Sequence, residues 1–99
     1  MRSSFRFDRN RIAEFCRRWN VVELAVFGSV ARGDFREDSD IDVMVTFSPK
    51  AHIVLLSLAR MENELSTIFN RKVDLVTKGG LKPLIRDEIL AQAEVLYAA

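Results

Sequence analysis

Cysteine occurs once and proline twice in the 99 residues, and no apolar run approaches the ~20 residues that span a bilayer. One cysteine excludes an intramolecular disulfide framework and fits a reducing compartment. Cys16 falls on the apolar side of a helical pattern, where it is expected as inert packing. No charged-then-apolar signal segment opens the chain, so the expectation is a cytoplasmic protein with no membrane part. Histidine also occurs once, and His52 is expected as an exposed residue in the first turn of a helix rather than a catalytic group. The formal net charge is only +1, so bulk attraction to nucleic acid or an anionic membrane is not implied. Repeats, low-complexity tracts and linker-like stretches are missing as well.

What is present is an ordinary globular composition. Hydrophobic residues at 48% against 29% charged argue against disorder. The length predicts one domain, residues 1–99, burying about 60–65% of the surface its unfolded chain exposes. That leaves room for one small sheet and a few helices, and little for a separate substrate domain. Charge is unevenly spread. Six arginines (Arg2, Arg6, Arg9, Arg11, Arg17, Arg18) crowd the first twenty residues and are expected on a solvated helix face. Five acids (Asp34, Glu37, Asp38, Asp40, Asp42) crowd residues 34–42, and a solvated face does not account for them.

Ile12, Phe15, Cys16 and Trp19 recur at helical spacing, predicting a helix over 9–20 capped by Asp8. Residues 21–27 read as a strand of β-branched and apolar types that stops at Gly28-Ser29. A short helical turn is expected over 30–32, closed by Gly33, then a polar loop over 34–39. A second strand is predicted over 41–47, a long helix over 51–69 and a third strand over 72–76. Pro83 suits the first turn of a last helix to about residue 93, and Val95-Leu96-Tyr97 suit an edge strand. This order implies an α/β or α+β domain, a small mixed sheet flanked by helices. Phe15, Trp19 and Phe27 are expected in the core, and Tyr97 as packing on the sheet edge rather than as an acceptor.

The strongest feature is Ser39-Asp40-Ile41-Asp42-Val43. Strand side chains alternate, so Asp40 and Asp42 share one face, with Cα atoms about 6–7 Å apart. Aspartate is a poor strand former, and two such charges about 6 Å apart repel by on the order of 3 kcal/mol at an effective dielectric near 20. A divalent cation between the carboxylates explains what a structural role does not. Oxygen-only ligands suit magnesium, and two metal ions serve in-line phosphoryl or nucleotidyl displacement. Asp74, in Lys72-Val73-Asp74-Leu75-Val76, is the third candidate if its strand pairs beside the second, as a metal ligand or general base.

Gly28-Ser29 ends a strand and opens a helical turn, where backbone N–H groups attract phosphate and glycine permits close approach. Ser29 adds a hydroxyl, and Arg32, one turn on, suits phosphate or a structural ion pair. The whole pattern is Gly28-Ser29, ten residues, then Asp40-x-Asp42, with Arg32-Gly33 and Ser39 inside the spacer. It resembles the nucleotidyltransferases of the DNA polymerase β superfamily, and within them the minimal prokaryotic type. The specific motifs cover residues 21–76.

The resemblance implies a polymerase β-like nucleotidyltransferase fold. It implies that Gly28 and Ser29 hold the triphosphate, with Arg32 and Ser39 as further phosphate-side candidates, and that Asp40, Asp42 and Asp74 are the catalytic, metal-binding carboxylates. It further implies two Mg2+ ions, ATP as donor, and a HEPN-domain ribonuclease toxin as partner. In such pairs the enzyme acts as antitoxin by transferring AMP to a toxin tyrosine, which makes a hetero-oligomer or a homo-oligomer an expectation here. Two other readings stand beside it. One is a nucleotidyltransferase for a small molecule such as an aminoglycoside, for which the chain lacks the usual added helical domain. The other is a non-catalytic module that neutralises a toxin by contact, for which three acids on one sheet face have no use.

Overall fold

In the computed structural model, residues 6–33, 36 and 39–99 are described. Helix α1 (Arg9–Trp19) leads into strand β1 (Val21–Phe27), the short helix α2 (Ser29–Arg32) and strand β2 (Ile41–Phe47). Helix α3 (Leu55–Phe69), strand β3 (Val73–Thr77), a 3₁₀ turn (Lys78–Gly80), helix α4 (Pro83–Gln92) and strand β4 (Glu94–Ala98) follow. The strands form one mixed sheet in the order β3-β2-β1-β4. β1 runs antiparallel to both β2 and β4, whereas β2 and β3 are parallel and joined through α3. The expected α/β architecture is therefore present, with β4 and β3 as its edges.

Local chemistry sets the element ends. The Asp8 carboxylate accepts from the Arg11 N–H at 3.1 Å, capping α1 as expected, and Asn20 closes the helix in the left-handed conformation. The predicted helix over 51–69 begins later, at Leu55. A turn after Pro49 consumes the first residues: the Ala51 N–H donates to the Ser48 carbonyl, and the Lys50 N–H donates to Ser48 Oγ. Ser57 Oγ then accepts from the Val54 N–H at 3.4 Å, where the helix starts. His52 consequently lies exposed before the helix, not in its first turn.

Alternation along the strands gives the sheet two different faces. On one, Leu24, Val26, Ile41, Val43, Val45 and Val73 pack against Ile12, Phe15 and Cys16 of α1 and Met61, Leu65 and Phe69 of α3. Burial pushes the Cys16 thiol up to about 12, so it is inert, as its helical position predicts. Trp19 and Tyr97 are partly buried against the same core. The other face is only part-covered: Ala25, Met44 and Leu81 form a small cluster with Phe27, Val76 and the α4 residues Ile89 and Leu90. Helix α4 has no fully buried residue.

Helix α3 also seals the outer edge of β3. Ser66 Oγ accepts from the Val73 N–H at 3.1 Å, and Glu62 Oε2 accepts from the Leu75 N–H at 2.9 Å. The described arginines of the basic stretch, Arg6, Arg9, Arg11, Arg17 and Arg18, are exposed as expected; Arg2 lies outside the described residues. Among the described residues, no helix is long and apolar enough to cross a membrane.

One polar tie joins the two helices of the main core. Glu64 accepts from Arg18 and, at 3.0 Å, from Trp19 Nε1. The Arg18 hydrogen bond holds the Glu64 carboxyl below its ordinary range, helped by Trp19 and opposed by partial burial. A lowered carboxyl pKa adds stability above the unfolded-state value and loses it as pH falls through the folded one. Glu64→Gln is expected to lower Tm by a few degrees at pH 7, read by calorimetry. The gap to the parent should close as pH falls below the ordinary glutamate range; a gap independent of pH would refute the charged tie.

Candidate active site

Asp42 lies in β2 between Ile41 and Val43, both fully buried on the α1/α3 face, so its side chain falls on the other, half-open face. The parallel register then places Asp74 directly beside it, across the β2–β3 ladder. That pairing is what the sequence made conditional. Asp74 is exposed on an edge strand, whereas Asp42 is partly buried. Burial raises the Asp42 carboxyl above its ordinary range, the charges of Asp74 and Asp40 raise it further, and Arg32 opposes them. Asp40, Asp74 and Arg32 are thus each close enough to act on Asp42.

Asp40 stands just before β2, and its carboxylate faces Lys72 Nζ at 3.8 Å. As they stand, no three Asp, Glu, His or Cys side chains among the described residues converge tightly enough to hold a metal ion. The donor set nevertheless suits a hard dication: carboxylate oxygens only, on and just before two adjacent strands, with Asp42 already repelled by the other two. Asp40 is the member whose present partner competes with such an ion. Lys72 was not marked by the sequence, since a lysine opening a strand carries no signal of what it faces.

At the phosphate side, Phe27 ends β1 directly opposite Asp42, and Gly28 turns the chain into α2. Gly28 has φ +72° and ψ −143°, and a Cβ built there would lie 2.3 Å from Asp42 Oδ2. Glycine is therefore required twice, for its backbone and for room beside a carboxylate. No side chain caps α2, which leaves its first N–H groups open to an anion. Ser29 begins that helix and Gly33 closes it with φ +82°.

Ser39 is tied to Arg36. Its Oγ accepts from the Arg36 N–H at 2.9 Å, and its own N–H donates to the Arg36 carbonyl at 3.0 Å. It closes a turn. The remaining acids of the crowded stretch, Asp34, Glu37 and Asp38, lie outside the described residues, as does most of the predicted 34–39 loop. The shallow hollow lined by Arg11, Glu14, Arg18 and Glu64 lies between α1 and α3, the helices that cover the sheet face opposite the carboxylates, and its Arg18 is held by Glu64.

Two substitutions test this geometry. Gly28→Ala is expected to destabilise the protein by about 1–3 kcal/mol in urea titration, because a glycine-only backbone is forced on alanine. Asp42→Asn is expected to raise Tm by a few degrees at pH 7 without added metal. A raised carboxyl pKa costs stability above the folded-state value and costs nothing below the unfolded one. The gain should therefore vanish on acidification, and an Asp42→Asn protein no more stable than the parent at neutral pH would contradict the crowding.

Comparison with known proteins gives the family and the fold. A family model described as "Nucleotidyltransferase domain" matches residues 9–96. The protein adenylyltransferase MntA of Thermococcus cleftensis is 39% identical over 84 residues, 85% of this chain and 81% of its own. A solved structure provisionally assigned as a minimal nucleotidyltransferase is 40% identical, covering 87% of this chain and 86% of its own, with a TM-score of 0.72. A chain of a toxin–antitoxin complex crystallised with AMP-PNP shares the fold at a TM-score of 0.76 and 20% identity, over 93% of this chain and 74% of its own. With the match running through both acidic strands and the turn that precedes them, the chain belongs to the nucleotidyltransferase family, and it is an enzyme of that type.

Proposed function

We propose that residues 1–99 act as one minimal nucleotidyltransferase unit that moves AMP from ATP to a hydroxyl of a partner protein. The observation that carries the choice of acceptor is the position of Asp74. It lies exposed on the edge strand β3, while Gly28 and Ser29 lie inward at the end of β1. The donor phosphates then rest inward, and the acceptor approaches over an open flank. A side chain offered by another protein surface can reach Asp74 over that edge strand.

In this reading the first N–H groups of α2 and the Ser29 hydroxyl grip the triphosphate, and Arg32 offsets its charge. Asp40, Asp42 and Asp74 would hold Mg2+, whose charge offsets that of the phosphates. The acceptor oxygen attacks the α-phosphorus as its proton passes to the Asp74 carboxylate, and the bond to the β-phosphate oxygen breaks, releasing pyrophosphate. Ser39 Oγ accepts from the Arg36 N–H, and its own O–H remains available as a donor to the phosphate side. The name borne by the Thermococcus relative and the AMP-PNP complex of the structural neighbour support a protein acceptor and an adenine nucleotide. The family resemblance of the motif supports a tyrosine of a HEPN ribonuclease toxin as the acceptor, the enzyme serving as antitoxin.

Intact mass spectrometry of the chain incubated with Mg-ATP and its co-purified partner tests this directly. We expect the partner to gain the mass of AMP one or more times. Asp74→Asn should slow the gain by about 100-fold or more, and Asp42→Asn should abolish it. A partner that binds yet gains no mass with any nucleoside triphosphate would sink the enzymatic reading in favour of inhibition by contact.

A further inference from the structure

Asp40 is the one carboxylate of the three that stands outside the sheet ladder, since β2 begins at Ile41. Hydrogen bonds within the sheet fix Asp42 and Asp74 against each other, but the backbone that carries Asp40 must be fixed by something else. The turn before it closes on itself through the reciprocal Arg36–Ser39 hydrogen bonds. Arg71, in the connection between α3 and β3, then reaches across to that turn. Its Nη1 donates to the Arg36 carbonyl at 2.6 Å and to the Ser39 carbonyl at 3.4 Å. Just beyond, two residues after Ser39 and one after Arg71, the Ile41 N–H donates to the Lys72 carbonyl at 2.9 Å and the parallel ladder begins.

We propose that Arg71 is the positioning residue of the carboxylate cluster: by gripping the Arg36 and Ser39 carbonyls it fixes Asp40 relative to Asp74, and thereby sets the affinity of the cluster for a divalent cation. Arg71 lies three residues before Asp74 and holds the residue immediately before Asp40, so a single side chain ties together the two backbones that carry these acids. A planar guanidinium suits a grip on two carbonyls, whereas a lysine ammonium is a point charge on a flexible stem. The sign of the effect separates this role from plain electrostatics. A cation near a cation site repels the incoming ion, so deleting Arg71 for its charge alone would tighten binding. Deleting it as a positioning group loosens binding. The inference rests on the proposed reading of Asp40, Asp42 and Asp74 as ion ligands.

The experiment is Mn2+ binding to the full chain without nucleotide, read from the free-ion signal in electron paramagnetic resonance. Arg71→Ala is expected to bind Mn2+ at least about tenfold more weakly than the parent, as is usual when a group supporting metal ligands is removed. Arg71→Lys should fall between the two, and it carries the test if the alanine variant does not fold. Arg18→Ala, which breaks the Glu64 tie on the opposite face, should leave Mn2+ affinity unchanged. Unchanged or tighter binding in Arg71→Ala overturns the proposal, as does an equal loss in Arg18→Ala, which would mean general loosening. Asp42→Asn should lose Mn2+ binding. Were it to bind like the parent, the reading of the carboxylates would fail first, and the role of Arg71 with it.

Discussion

The side-by-side placement of Asp42 and Asp74 across a parallel ladder is the constraint on which the rest of the site depends. Two carboxylates on neighbouring strands repel, and partial burial of Asp42 makes its charge costlier still. The opposite face of the same strands supplies the offset. Ile41, Val43 and Val73 are essentially fully buried against α1 and α3, and fully burying side chains of this size stabilises by about 1.5–3 kcal/mol each. The sheet therefore works as a plate with its adhesive on one side and its strain on the other. Shifting either strand by one residue would exchange the two sets, which is why the register is so firmly specified.

Much of this was legible in the chain. The strands over 21–27 and 41–47 are found at the predicted bounds because each is a compact apolar run cut off by a turn signal, at Gly28-Ser29 and at Ser48-Pro49. Asp8 caps α1 by a local hydrogen bond, which depends on neighbours in sequence and so can be read from them, whereas the helix was read through Asn20, the residue that closes it. The acidic alternation in β2 pointed to chemistry because its cost has no structural return. The start of α3 was less legible: the turn at Ser48–Ala51 competes with helix for the same backbone groups, and Ile53 suits either state.

What stayed hidden depends on pairing between distant segments. That Asp74 neighbours Asp42 follows from β3 lying beside β2, not β4, and periodicity carries no information on strand order. Lys72 against Asp40 and Arg71 across the Arg36 turn are likewise products of that pairing. Ser39 adds a local tie that its position in the motif did not reveal, its hydroxyl closing a turn with Arg36. A hydroxyl beside a functional aspartate can serve that residue's backbone as readily as a ligand.

The seal that α3 places on β3 constrains how any other protein can meet this one. With the Val73 and Leu75 N–H groups already taken by Ser66 and Glu62, that margin of the sheet offers no ready template for an added strand. A partner arriving beside Asp74 must present a side chain over a closed border. It cannot zip its backbone onto the sheet there, and strand-to-strand self-association is discouraged along the very rim where the carboxylates lie open. The opening left for an acceptor is thus also a barrier to polymerisation.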